Sequence, residues 1–572
     1  MTAASPGESR RSWPTAKLVA LVDFATASHG RAVAVLVLIS LLTFVPGIFE
    51  VPPIDRDEPL FAQISKQMVE TGDYVDIRFQ NEDFFKKPAG INWLQAGVVK
   101  TAVLLGYPSA LSAIWLYRVP SVVGAIGAVL LTYWSALAFV PRRPAVLAGL
   151  MLAVSILMAI EARLARTDSM LVLSTTAILG SMGRIYLREL HARGSEAKSW
   201  LLPGIFWTAL AAGVLLKGPF IVLLVALVAA TLVVFDRSAR WLIAFKPLAG
   251  VAWFIVLVLP WVIAIVSRTG TAFFSESIGH DMLGKVATGQ ESHGAPPGYY
   301  LLMFPFAFWP GSIFAALAAP HVYSSRREPA VRFLLAWLIP AWIVFEAVQT
   351  KLPHYVLPLY PAIAILVASC IDSNVLSRSR WLVGGTFLLF LIPTIFTVVV
   401  IGGLIAVTGD LGLMTWPFAA AALAFAYFAW RHYETDGPER ALLRAAAAYI
   451  VGSVALFAVV VPALKPLFPS ATLAQLLRAA DCANPVAAAT GFHEPSLVFL
   501  LGTQTVLTNG AGVADFLHGG GCRFGIVEAH DENRFVERAN AIGLRYVREA
   551  QIDAVNISHG RRISIFVFRP GM

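Results

Sequence analysis

Long apolar stretches separated by short polar turns dominate the chain up to about residue 463, after which the pattern changes. Stretches able to cross ~30 Å of hydrocarbon fall at 32–49, 113–139, 144–162, 169–187, 200–216, 218–235, 247–267, 299–319, 331–350, 354–371, 381–407, 413–430 and 444–463. These thirteen runs predict a polytopic α-helical membrane protein. A further run, AGINWLQAGVVKTAVLLG at 89–106, is broken by Asn92, Gln95 and Lys100, which predicts a helix lying along the membrane surface. From 464 to 572, short apolar segments (VAAAT, TVLTN, FGIVEA, ISIFVF) alternate with helical stretches such as Glu532 to Ile542. That alternation predicts a small α/β domain behind a membrane domain at 1–463.

Charge orients the path. With the N-terminus in the cytoplasm, the inner loops are 140–143, 188–199, 236–246, 320–330, 372–380 and 431–443, and each carries at least two Lys or Arg. Apart from the long first loop, the outer connections are much poorer in basic residues, as the positive-inside rule requires. Counting 89–106 as a span would put the arginine-rich loops outside. The first loop (50–112) and the C-terminal domain then share the outer face of a bacterial inner membrane.

Composition agrees: 57% of residues are hydrophobic and 14% charged, against about 25% charged in soluble proteins. The net charge of +9 is accounted for by cytoplasmic loops, and no basic patch or nucleic-acid motif points to nucleic acid. Residues 1–31 are polar and basic, and the apolar run behind them is too long for a signal-peptide core, so it reads as a retained first helix. Cys370 lies in an apolar run and reads as inert. Cys482 and Cys522 lie in the C-terminal region, where an oxidising compartment would permit a disulfide. Spacing leaves bonded and free states open.

One face collects groups that a membrane should exclude. The first loop offers Asp55, Asp57 and Glu58 in PPIDRDEPLFAQ, then Lys86 and Lys87 in FFKKPAG. EARLARTDSML brings Glu161, Arg163 and Arg166 beside Asp168, and Lys217 stands between two apolar runs in VLLKGPF. The loop 268–298 adds Glu276, His280, Asp281, Lys285, Glu291 and His293, and TKLPH adds Lys351 and His354. Singly, each has an ordinary reading: an Asp that caps a helix, a Lys that snorkels, a structural His. Together, at matching depth on one side, they mark a functional site. Carboxylates supply a general base, and Lys or Arg at membrane depth suit a lipid-borne phosphate. The outer face has no nucleotide-sugar pool, so a group-transfer enzyme there draws its donor from the membrane.

DRDEPLFAQISKQMVETGDYVDIRF followed by FFKKPAGINWLQA resembles the first outer loop of the ArnT-type and protein-O-mannosyltransferase-like glycosyltransferases of the GT-C fold. The resemblance continues through ARTDSML, LLKGP and TKLPHYVLPLYPAIA, and C-terminally only in a loose HEPSLVFLL. It implies Asp57 as catalytic aspartate, Asp168 as second carboxylate, and Glu58 facing the same site. It also implies Lys87 and Lys217 as donor-phosphate ligands, and Lys86, Lys351 and Arg163, by their charge on the same face, are expected to assist. His280, His293, His354 and Glu276 are expected to serve the acceptor or a metal.

Two departures stand out. The glutamate usual before Lys-Pro is Lys86 here, which leaves the requirement for a divalent cation open and points to an acidic sugar, such as a uronic acid. An arginine often found two residues after the Asp-Glu pair is absent, with Leu60 and Phe61 in that region. The expected activity is inverting transfer of a sugar from a polyprenyl-phosphate donor to lipid A, lipopolysaccharide or another glycan, by a monomer among membrane lipids. The alternatives are protein O-glycosylation by the same fold and a transporter of lipid-linked sugars. A transporter should show repeat symmetry between its halves, and none is visible.

Overall fold

The computed structural model describes residues 13–191, 199–284, 294–482 and 484–571. Among the described residues, eight helices are long and apolar enough to cross a membrane, or ten if each of two bent pairs is one span. Three shorter apolar helices, α2 (His29–Phe44), α9 (Leu201–Lys217) and α10 (Phe220–Asp236), stand where the sequence predicts further spans. Preceding these is α1 (Trp13–Thr26). The 144–162 run is α6 (Arg142–Ala153) and α7 (Ile156–Ala162), bent by 62°. The 299–319 run is more than a kinked span. Tyr299–Ala307 and Gly311–Ser324 meet at 119°, because Trp309-Pro310-Gly311 interrupts the helix where proline can neither donate nor continue it.

The first loop builds two helices that pack on each other and against neighbouring helices of the bundle. Helix α3 (Asp57–Thr71) opens on Asp57 and Glu58, acids that suit a helix N-terminus, and closes at Gly72 in the left-handed conformation. Helix α4 (Gly90–Leu104) follows the hairpin of β1 (Arg78–Phe79) and β2 (Glu82–Asp83). Two of the polar residues that break the 89–106 run, Asn92 and Gln95, face α3 and not water, while Lys100 is exposed and lies 5.2 Å over the Tyr74 ring. Asn92 Nδ2 donates to Ser65 Oγ at 2.9 Å, Ser65 donates to Gln95 Oε1 at 2.7 Å, and Gln95 Nε2 donates to the Ala165 carbonyl at 3.0 Å. This buried ladder ties α3, α4 and the turn before α8 (Asp168–His191) together.

Two glycines allow the close approaches that bring the site together. A Cβ on Gly90 would lie 2.4 Å from the Leu215 carbonyl oxygen of α9, and one on Gly124 in α5 (Ile114–Ala136) would lie 2.8 Å from the Met170 amide. The first sets FFKKPAG beside Lys217. The second sets α5 against the start of α8.

The C-terminal region carries a five-stranded sheet in the order β4-β3-β5-β7-β6. β3 (Val486–Thr490) pairs in parallel with β4 (Val506–Leu507) and β5 (Arg523–Glu528). β7 (Arg561–Pro570) is antiparallel to β5 and to β6 (Tyr546–Asn556). Four of these strands are the apolar segments seen in the sequence. β6 is not, because YVREAQIDAVN is an edge strand whose first half is largely exposed, so it lacks a clean apolar face. Cys482 and Cys522 are disulfide-bonded, with Cα atoms 5.8 Å apart, and tie the segment entering β3 to the start of β5.

Candidate functional site

Asp168, in the first turn of α8, is the centre of the charged group. It is 2% exposed, and Lys217 at the end of α9 donates to its Oδ1 at 2.5 Å. The Arg166 guanidinium lies 3.9 Å from Asp168, 3.8 Å from Glu161 and 2.9 Å from Asp57 Oδ2. His354 Nδ1 is 3.5 Å from Glu161 Oε1 and its Nε2 is 3.8 Å from Asp168 Oδ1. The group is therefore three acids and two ion-paired cations around one imidazole, drawn from α3, α7, α8, α9 and the TKLPH turn.

Asp57 differs from the other two acids. Its side chain is 43% exposed, so it stands at the mouth of the group with Glu161 and Asp168 behind it. Burial pushes its carboxyl up, but Arg166, Lys87 and His354 outweigh that and hold it below the usual carboxylate range. It is an anion at neutral pH. Lys87 sits 4.7 Å over the Phe61 ring, within electrostatic reach of Asp57, Asp168, Lys217 and Arg166. Burial pushes its ammonium down to about 8, with Lys217 and Arg166 adding and the two aspartates opposing. Lys86 is half-buried, 6.0 Å from the Phe84 ring.

Several sequence expectations land elsewhere. Glu58 does not face the charged group. It is 2% exposed and all its acceptor capacity is taken up. Oε1 accepts from Arg118 Nε (2.8 Å) and the Ala165 amide (3.0 Å), and Oε2 accepts from Arg118 Nη2 (2.9 Å) and the Ile54 amide (2.9 Å). It is a structural clamp on the head of α3. Arg163 is likewise spent. It donates to the carbonyls of Pro46, Ala159 and Thr43 and lies 3.8 Å over the Phe457 ring. Arg166, three residues on, is the arginine that lies beside Asp57, Glu161 and Asp168.

Lys351 is buried and donates to the Ala295 and Val348 carbonyls at 2.9 and 2.5 Å, which braces the bridge between Gly294 and Thr350. Glu276 and His280 lie on the helical segment Ser275–Leu283, with His280 exposed. His293 lies outside the described residues, as do Lys285 and Glu291. Asp55 is buried against Ser496 of the C-terminal domain. Burial raises it to about 7, with Glu494 and Glu58 adding and Ser496 opposing.

Glu161, Asp168 and His354 each offer a donor atom within 4.8 Å of the others, which is ligand spacing for a cation. Their charge environment fits one poorly. Lys217 and Arg166 already flank both Asp168 oxygens, and Arg166 also flanks Glu161, so fixed cations occupy the space where a divalent ion would find its charge balance.

No family model matches the chain. Curated relatives are the undecaprenyl phosphate-α-4-amino-4-deoxy-L-arabinose arabinosyl transferases. That of Pseudomonas aeruginosa (strain UCBPP-PA14) is 28% identical over 335 residues, 57% of this chain and 58% of the relative. That of Pectobacterium carotovorum is 26% identical over 346 residues, 60% and 59% of the two chains. The chain thus spans just under three fifths of the length of the curated relatives it matches. The crystal structure of ArnT from Cupriavidus metallidurans bound to undecaprenyl phosphate superposes with a TM-score of 0.70 at 18% identity, covering 93% of this chain and 97% of that one. The apo form gives 0.71 at 17% identity, covering 97% and 98%. Over nearly its whole length the chain has the fold of ArnT, and over about three fifths of its length its sequence is similar to the undecaprenyl-phosphate aminoarabinose transferases.

Proposed function

We propose that the protein is a membrane glycosyltransferase that moves a sugar from a polyprenyl-phosphate donor to lipid A, lipopolysaccharide or another glycan at the periplasmic face of the inner membrane. The observation that carries this reading is the arrangement of charge. A half-exposed, ionised Asp57 stands beside a recessed set of cations, Lys87, Arg166 and Lys217, supplied by three separate segments. Fixed cations where water is scarce suit a phosphate on a lipid. An anionic carboxylate next to them suits an acceptor hydroxyl. The undecaprenyl phosphate bound by Cupriavidus ArnT and the names of the curated relatives support the donor class. The first loop and the C-terminal domain touch through Gln63, Lys66 and Gln80, which supports their sharing a side of the membrane, and the basic loops support the outer side.

In the reaction, the acceptor oxygen gives its proton to Asp57 and attacks the anomeric carbon. The bond from that carbon to the phosphate oxygen breaks, and polyprenyl phosphate leaves onto Lys87, Arg166 and Lys217. One displacement inverts the anomeric configuration. Donor binding prepares the base: a phosphate paired with Arg166 draws it from Asp57, whose basicity then rises. The reading needs no divalent cation, since Lys86 replaces the family's glutamate and Arg166 and Lys217 hold the carboxylates of the Glu161–Asp168–His354 group.

The test uses purified protein in lipid with a radiolabelled undecaprenyl-phosphate sugar and lipid A. Label is expected on the acceptor, matched by free undecaprenyl phosphate, with EDTA present or absent. Labelled lipid that changes leaflet with its sugar attached would establish a transporter instead, and label on a protein hydroxyl would move the acceptor class.

Lys87 sets the alkaline limit of this activity. Only its ammonium form pairs with phosphate, and its value is lowered, so binding competence is full below about 8 and lost as pH rises through it. The pH profile of kcat/KM for the donor reports free-enzyme groups and should fall about tenfold per pH unit above that point. A profile flat to pH 10 would remove Lys87 from the phosphate site.

A further inference from the structure

The short helix Pro495–Leu501 of the C-terminal domain, the HEPSLVFLL segment, lies directly on α3. Lys66 Nζ donates to the Phe499 carbonyl at 3.0 Å, and the Phe499 ring meets Tyr117 edge-on at 5.2 Å. Gln63 Nε2 donates to Thr503 Oγ1 at 2.8 Å, and Thr503 Oγ1 donates to Glu70 Oε2 at 2.7 Å. Gln80 Nε2 donates to the carbonyls of Thr503 and Thr505 at 3.0 and 2.7 Å. Together these contacts, made by side chains of α3 and by Gln80, define one register between two parts of the chain.

The contact reaches the residues immediately before Asp57. Asp55 is 8% exposed and bonds Ser496, whose hydroxyl also meets Ser470 at 2.6 Å. Arg56 has φ +90°, a conformation that costs a side-chain-bearing residue and persists only where the surroundings impose it. Its Nη2 donates to the Ser558 carbonyl at 3.0 Å. The Asn556–His559 turn that presents this carbonyl is in turn held by Glu494. Asn556 Nδ2 donates to Glu494 Oε1 at 2.9 Å and Ser558 Oγ to Oε2 at 2.8 Å, while the His559 amide donates to Asn556 Oδ1 at 3.1 Å. Glu494 and Asn556 are 7% and 2% exposed.

We propose that Glu494 is a positioning residue for Asp57: through Asn556, Ser558 and Arg56 it fixes the backbone that enters α3, which makes the C-terminal domain part of the transfer site. The proposal rests on the glycosyltransferase reading above. Asp57 is the first residue of α3, so the direction of its carboxylate is set by the chain at Asp55 and Arg56. A loosened Arg56 lets that carboxylate swing from the acceptor oxygen while the phosphate cations, which sit on other elements, stay in place.

The test compares Glu494→Ala, Glu494→Gln and Ser558→Ala in the full chain in lipid, with the radiolabelled undecaprenyl-phosphate sugar as donor. Glu494→Ala should lower kcat by about 10- to 100-fold, the scale of a small misplacement of a reacting group, with donor KM unchanged within about twofold. Glu494→Gln, which keeps one accepting oxygen for the turn, should recover part of kcat. Ser558→Ala, a lesser change for use if Glu494→Ala does not accumulate, should fall between them. Hydrogen exchange of the amides at 54–58 should quicken in parallel with lost kcat. Unchanged kcat and unchanged exchange in Glu494→Ala and Ser558→Ala would overturn the proposal, as would loss of folded protein with kcat per folded molecule intact. If wild type transfers no sugar, the glycosyltransferase reading fails, and the exchange at 54–58 still decides whether Glu494 holds the entry to α3.

Discussion

Asp57→Asn abolishes most sugar transfer: kcat falls by about 10²- to 10⁴-fold, the range that a positioned general base contributes. The substitution keeps the size of the side chain and removes its charge and basicity, so the loss belongs to the chemical step. Donor binding should hold or tighten, because Arg166, 2.9 Å from Asp57 Oδ2 in wild type, is released to pair with phosphate. A lowered kcat with unchanged or reduced donor KM separates this from damage to the phosphate site, which would raise KM. Asp168→Asn provides the contrast. It strips Lys217 of its 2.5 Å partner and disturbs the cations themselves, so it should raise donor KM as well as lower kcat. Asp57→Asn retaining kcat within about tenfold of wild type would remove Asp57 as the base.

Arg118→Ala should be among the most destabilising single changes available to the membrane domain. Arg118 is 1% exposed and spends its guanidinium on both Glu58 oxygens and on the carbonyls of Ile48, Val51 and Pro52. Truncating it leaves a buried carboxylate with two amide donors and no counter-charge, together with three carbonyls that lose their donor. Breaking a buried pair from one side costs about 3–5 kcal/mol, which a thermal melt in detergent would register as a drop of several degrees. Arg118→Met combined with Glu58→Gln removes both charges and should recover part of the loss, since the penalty lies in the unpaired charge. A single-variant midpoint equal to wild type would show that Glu58 does not depend on Arg118. The change also loosens α3, so residual folded enzyme should show reduced kcat.

The two ends of this comparison explain why the sequence misleads at Glu58. Asp57 and Glu58 are neighbours at the start of one helix, but they point about 100° apart around it. One reaches the charged mouth and the other the interior beside α5, 60 positions away in the chain. Reading them as a catalytic pair treats sequence proximity as shared direction. Arg163 and Arg166 make the same point in the turn between α7 and α8. No regular period applies there, so composition cannot say which arginine faces Asp168. Lys351 and His354 sit three apart around a proline, and the chain turns one toward the Ala295 carbonyl and the other toward Glu161.

What the sequence by itself determined is whatever depends on transfer between water and hydrocarbon, or on a repeating pattern. Apolar runs mark the helices, while basic loops and the three broken positions in 89–106 predict which side is cytoplasmic and which helix does not cross. Alternating segments mark four of the five C-terminal strands, and charged residues at common depth mark the site. What only the tertiary structure decided is which of those charges meet. Ion pairing depends on a few ångströms and on the direction of a side chain, and both are set by contacts such as Gly90 against Leu215 and Gly124 against Met170. These contacts join positions far apart in the chain, so no local pattern records them.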